Sequence, residues 1–165
     1  MSVLSHAQMQ DYLRQAGWPA THLAIMSAIG MAESSGRTNA GGPSAPDRHK
    51  DSNGRWSVGV WQINATDGAA PGSGREGVTL SQLENPLTNA SKALDIFRSQ
   101  GFRAWGTYTS GKYKTYLAAA QTAAGSTPVS FDGNNATPAP AQQPDYATAA
   151  AWALGLAATY LLFFD

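Results

Sequence analysis

The run LAIMSAIGMA at positions 23–32 carries no charge and a single hydroxyl, with Pro19 shortly before it and the tripeptide SSG soon after. A proline is tolerated in the first turn of a helix, where the N–H it lacks has no intrahelical partner, so the spacing predicts a helix from about Pro19 to Ser34. A helix that is apolar nearly all round is stable only when other elements surround it. The chain must therefore build its core about this segment, and 165 residues suffice for one domain of ordinary size with a small appendage. In the last turn stands Glu33. Residues three, four, seven and eleven apart share a helix face, which puts Glu33 on the stripe of His22, Met26, Ile29 and Gly30. Burial there would hold a carboxyl toward its neutral form, the state a general acid requires near neutral pH. Taken alone, the residue reads either as such an acid or as a solvated helix end.

Composition removes several function classes. Eleven basic and eleven acidic residues give zero formal charge, so there is no electrostatic footprint for nucleic acid. With no cysteine there is neither a disulfide scaffold nor a thiolate site, and His6, His22 and His49 show no metal-ligand spacing; no metal and no cofactor is expected. The opening MSVLSHAQMQDYLRQAG lacks a basic region followed by an apolar one and does not read as a secretory signal.

Along the chain, residues 5–16 read as a first helix with Ser5 as N-cap, Gly17 as stop, and Met9, Leu13 and Ala16 on one face. TNAGGPSAPDRHKDSNGRWS, with three glycines and two prolines, is a loop with room for a short hairpin at SNG. VGVWQINA reads as a strand by propensity or as a buried helical turn. TLSQLENPLTNASKALDIFRSQG predicts a helix start capped by Thr79 or Ser81, an interruption at Pro86, and a helix through Ala90, Leu94 and Phe97 that stops at Gly101. An aromatic segment, a turn and a last short helix follow. Residues 122–145 are rich in Pro, Ala, Gly and Asn and read as a flexible linker. From 146 to 164 no residue is charged, and the run approaches the ~20 apolar residues that span a bilayer. It reads as a membrane helix or as a hydrophobic helix docked in a protein assembly, and no flanking Lys or Arg orients it. The predicted plan is a domain at 1–121, a linker at 122–145 and a hydrophobic helix at 146–165.

Four motifs follow one another at domain-like spacing: ESSG (33–36), GVWQIN (59–64), NPLTN (85–89) and WGTYTSGKY (105–113). In this order they resemble the lysozyme-like family of soluble lytic transglycosylases and phage tail or virion muramidases. That family joins a helix ending in Glu-Ser, a Gly-x-x-Gln-Ile segment, an Asn-Pro-x-x-Asn helix start and an aromatic segment with a Tyr near the site. Glu33 and Ser34, then Gly59, Gln62 and Ile63, then Asn85, Pro86 and Asn89, and finally Trp105, Tyr108 and Tyr113 occupy the matching positions. The resemblance spans roughly residues 5–120 and implies a mainly α, α+β lysozyme-like fold.

It also implies cleavage of the glycosidic bond between N-acetylmuramic acid and N-acetylglucosamine in peptidoglycan, with Glu33 as acid and then base. The implied substrate-binding residues are Gln62 and Asn64, whose amides suit N-acetyl groups and hydroxyls, together with Trp61, Tyr108 and Tyr113. Trp61 and Tyr108 offer faces for a sugar ring, the alternative being that Trp61, if VGVWQI alternates its faces, and Tyr113 pack in the core. Ser34 is expected to orient the Glu33 carboxylate or the nearby backbone, Asn85 to cap a helix, and Asn89 to pack. Related lysozymes carry an acid two residues before the glycine of Gly-x-x-Gln-Ile; Ser57 stands there in this chain. That favours a transglycosylase assisted by the substrate's own N-acetyl group, the alternative being a hydrolytic lysozyme with Asp47 or Asp51 as second carboxylate. The expected setting is a phage particle, in an internal membrane or ejection apparatus joined through 146–164, where the enzyme assists genome delivery; a membrane-anchored bacterial enzyme and a non-catalytic, glycan-binding virion protein are the alternatives.

Overall fold

The computed structural model describes residues 2–48, 50–65 and 78–125, all within one compact unit. Helix α1 (His6–Gln15) starts as its sequence dictates: the Ser5 side chain accepts from the Gln8 N–H and the Gln8 side chain accepts from the Ser5 N–H, a reciprocal capping box. Ala16 closes it, and Gly17 beyond takes the left-handed conformation with φ 85°.

After a 3-10 turn at Ala20–His22, helix α2 (Leu23–Ser34) runs through the centre. Leu23, Met26, Ser27, Ala28, Ile29, Gly30, Ala32 and Ser34 are all buried, which fills more than half of the helix surface with neighbours, as an apolar segment requires. At Gly30 a Cβ would lie 2.9 Å from the Trp61 indole nitrogen and 3.1 Å from the Met9 sulfur. The missing side chain is what lets Trp61 lie on the helix one turn before Glu33. Ser35 ends α2 in the left-handed region (φ 56°), and the Leu4 N–H donates to the Gly36 carbonyl at 2.9 Å, pinning the helix end to the N-terminal segment.

The loop that follows reverses at SNG, as its sequence suggests: Asp51–Arg55 form a turn closed by an isolated antiparallel bridge between Lys50 and Trp56. A two-stranded hairpin lies further on. VGVWQINA is neither one strand nor a helical turn, because its middle reverses: β1 (Trp56–Val58) and β2 (Ile63–Ala65) pair antiparallel, with Ser57 opposite Asn64. Gly59 (φ 80°) and Gln62 (φ 48°) make that reversal, and Gln62 is held in this unfavourable region by its own side chain, which donates to the Gly59 and Ala40 carbonyls.

Asn85 caps α3 (Pro86–Gln100) through hydrogen bonds from the Leu87 and Thr88 N–H groups, with Pro86 at the first helical position. Pro86 thus begins the helix, and Gly101 ends it. A short α4 (Gly106–Thr109) and α5 (Lys114–Ala124) complete the unit, α5 reaching three residues into the segment read as linker. The core gathers Met9, Leu13, Met26, Ile29, Val58, Val60, Trp61, Ile63, Leu83 and Ala90 from α1, α2, the β1–β2 hairpin, the 3-10 turn at Gln82–Glu84 and α3. Among the described residues no helix is long and apolar enough to cross a membrane; the expected helix at 146–165 and the rest of the expected linker lie outside them.

Candidate active site

The end of α2, the β1–β2 hairpin, the end of α3 and the start of α4 enclose a cleft of about 240 Å³. Glu33, Ser57, Gln62, Asn64, Gln100 and Trp105 line it, among others. Glu33 is half-buried: its helix face is core-facing as far as Ile29 and Gly30, and one turn later opens into the cleft. The Thr107 hydroxyl donates to Glu33 Oε1 at 2.7 Å, which leaves Oε2 as the oxygen available to a bound molecule.

The structure therefore brings together Glu33, Gln62 and Asn64. It separates others from them. Trp61 is fully buried, its indole N–H donating to the Met26 carbonyl at 2.9 Å and its ring filling the space left by Gly30, so neither face is open to a sugar. Ser34 is buried as well, and its hydroxyl donates to the Gly30 carbonyl one turn back, so it supports the helix backbone and cannot touch a substrate. Tyr108 and Tyr113 do not line the cleft. Their rings stack on each other at 4.9 Å, and Tyr108 stacks on Phe102 at 5.2 Å, which in turn meets Phe97 and His22. These rings hold α4 against the body of the domain and so fix Thr107 beside Glu33.

Neither alternative carboxylate reaches the cleft wall. Asp47 pairs with Arg37 at 2.5 Å, and that guanidinium holds its carboxyl below the usual carboxylate range. Asp51 Oδ1 accepts the Asn53 and Arg55 N–H groups, both at 2.9 Å, while Oδ2 accepts from the Asn64 amide at 3.2 Å. These bonds, that from Arg55 foremost, lower its pKa. Among the described residues Glu33 is the single carboxylate lining the cleft, and Ser57, opposite Asn64 in the hairpin, lines it too. No group of three His, Cys, Asp or Glu among the described residues could hold a metal ion.

Sequence reasoning missed Thr107, Gln100 and the cleft-lining role of Trp105. Thr107 lies inside the aromatic motif it helps to define, but a hydroxyl between Gly106 and Tyr108 carries no periodic signal. Trp105 lines the cleft while 4% exposed, its indole N–H donating to the Trp61 carbonyl at 2.9 Å, a link between two motifs that only the folded chain reveals.

No curated protein matches the chain. A family model described as a lysozyme-like domain matches residues 10–107, a span that runs from within α1 to Thr107 and takes in Glu33, the hairpin, the Asn85 cap and Asn89. The chain belongs to this lysozyme-like domain family.

Proposed function

We propose that this protein is a lytic transglycosylase that cleaves the β-1,4 bond between N-acetylmuramic acid and N-acetylglucosamine, with Glu33, the single carboxylate among the described residues that line the cleft, as its acid and base. A lysozyme-like domain suggests activity on peptidoglycan. The observation that carries the finer reading is the cleft wall itself, where Glu33 is the one described carboxylate and a serine, Ser57, lines the same cleft.

In the first step Glu33 Oε2–H protonates the glycosidic oxygen. The bond from that oxygen to the anomeric carbon breaks, and the substrate's acetamido carbonyl oxygen takes its place on that carbon. In the second, the Glu33 carboxylate accepts the proton of the muramic 6-hydroxyl, whose oxygen attacks the anomeric carbon and expels the acetamido oxygen. The product carries a 1,6-anhydro ring and water is not consumed. Mass analysis of muropeptides released from purified peptidoglycan tests this: anhydro ends are expected, and products terminating only in reducing sugars overturn it in favour of hydrolysis. The proposed setting is a phage particle, a reading supported by the uncharged run at 146–164. The same assay on purified particles tests it, and particles lacking the chain overturn it.

Thr107 has a defined part in this scheme. By donating to Oε1 it keeps the reactive proton on Oε2 and stops the carboxyl from rotating. A hydrogen bond to a charged group contributes roughly 1.5–3 kcal/mol, so Thr107→Val is expected to lower kcat by about tenfold or more with KM little changed. Thr107→Ser restores kcat. Wild-type kcat in the valine variant would show that the hydroxyl does not support the acid.

A further inference from the structure

The two amides on the cleft wall have their N–H groups committed to the protein. Gln62 Nε2 donates to the carbonyls of Gly59 at 2.9 Å and Ala40 at 3.2 Å. Backbone carbonyls only accept, so this orientation admits no flip, and Oε1 is the free end. Asn64 Nδ2 donates to Asp51 Oδ2 at 3.2 Å and, at longer range, to Ser57 Oγ at 3.5 Å. An ionised carboxylate also only accepts, and the hydrogen bonds on Asp51 favour its ionised form. No described donor reaches Asn64 Oδ1 or Gln62 Oε1. Through Gln62 Oε1 and Asn64 Oδ1 the wall thus presents two acceptors for N–H or O–H groups of a bound molecule.

We propose that Asp51 is a positioning residue that locks the Asn64 amide with Oδ1 toward the cleft, making Asn64 the acceptor for the N–H of a sugar's 2-acetamido group. The proposal rests on the peptidoglycan reading and sharpens it. An acetamido group whose N–H is accepted by Asn64 has its position fixed, and the hydrogen bond draws electron density toward its carbonyl oxygen, the atom that bonds to the anomeric carbon. Asp51 touches no substrate; it acts through Asn64.

Asp51→Asn in the full chain tests this without removing the loop. The Asn53 and Arg55 N–H groups still require an acceptor, so the new amide turns its oxygen to them and its NH₂ toward Asn64. Asn64 must then offer Oδ1 to residue 51 and its own NH₂ to the cleft, and the polarity of the wall inverts. Affinity for the tetramer of N-acetylglucosamine, measured by calorimetric titration in a Glu33→Gln background, is expected to fall about tenfold. Asn64→Leu should fall equally, and adding Asp51→Asn to Asn64→Leu should have no further effect. Unchanged affinity in Asp51→Asn, a further loss in the double variant, or no tetramer binding by the parent overturns the proposal. If Asp51→Asn melts at a lower temperature, Asn64→Leu alone decides, and unchanged affinity there overturns it. Because binding is read without turnover, a chain that binds the tetramer but releases no muropeptides refutes the transglycosylase reading and leaves this inference standing.

Discussion

Glu33→Gln is expected to reduce muropeptide release by about 10³-fold, within the 10²–10⁴ range typical of a removed general acid–base group, while the melting temperature and sugar affinity stay close to wild type. Glutamine has the same length, and its carbonyl still accepts the Thr107 hydroxyl at the position of Oε1. What it lacks is a proton acidic enough to pass to a leaving oxygen, and a conjugate base to take the 6-hydroxyl proton afterwards. In the proposed reaction both steps run through Glu33, since no second described carboxylate lines the cleft, and the loss then falls on the whole reaction. Glu33 is half-buried at a helix end, where a neutral amide costs little stability. Release within tenfold of wild type would place the acid on another residue and overturn the role given to Glu33.

Sequence showed most clearly the features whose causes are local. Ser5 with Gln8, Pro86 behind Asn85, and Gly101 specify helix limits within a few residues, and the structure has those limits. The hairpin was ambiguous because VGVWQINA reverses at Gly59–Gln62, and the contacts that stabilise the reversal come from Ala40 and Asn89, far away in the chain. Trp61 stayed open between a sugar face and the core for a related reason: the gap over Gly30 that turns it inward lies on another element. Ser34 is taken up by the Gly30 carbonyl of its own helix, and the two tyrosines by the aromatic stack they form with Phe102. Glu33, Gln62 and Asn64 were legible because motif order brings α2 and the hairpin together, whereas Thr107 depends on the angle at which the aromatic stack sets α4.

Asn89→Leu is expected to be the most damaging single change to stability. Asn89 is completely buried and makes three hydrogen bonds to backbone: Nδ2 donates to the Leu83 carbonyl at 2.8 Å and the Val58 carbonyl at 2.9 Å, and Oδ1 accepts the Trp61 N–H at 2.9 Å. Gly59 packs directly on this amide, where a Cβ would collide with it. One side chain of α3 thus ties together both sides of the hairpin turn and the 3-10 turn at Gln82–Glu84 that precedes the helix. Leucine fills nearly the same volume but leaves three buried backbone groups without partners, each costing about 1–3 kcal/mol. A loss of at least ~3 kcal/mol follows, a large share of the 5–15 kcal/mol that holds a domain folded. Urea unfolding monitored by tryptophan fluorescence measures it, and a loss below ~1 kcal/mol would mean the turn finds other partners. The contrast with Asn85 is instructive, since that helix cap bonds at the surface, where water replaces it and about 1 kcal/mol is at stake. The functional consequence follows from the same bonds: the turn that Asn89 holds also carries Gln62, so the fraction of Asn89→Leu that remains folded should bind glycan more weakly than its folded population alone accounts for.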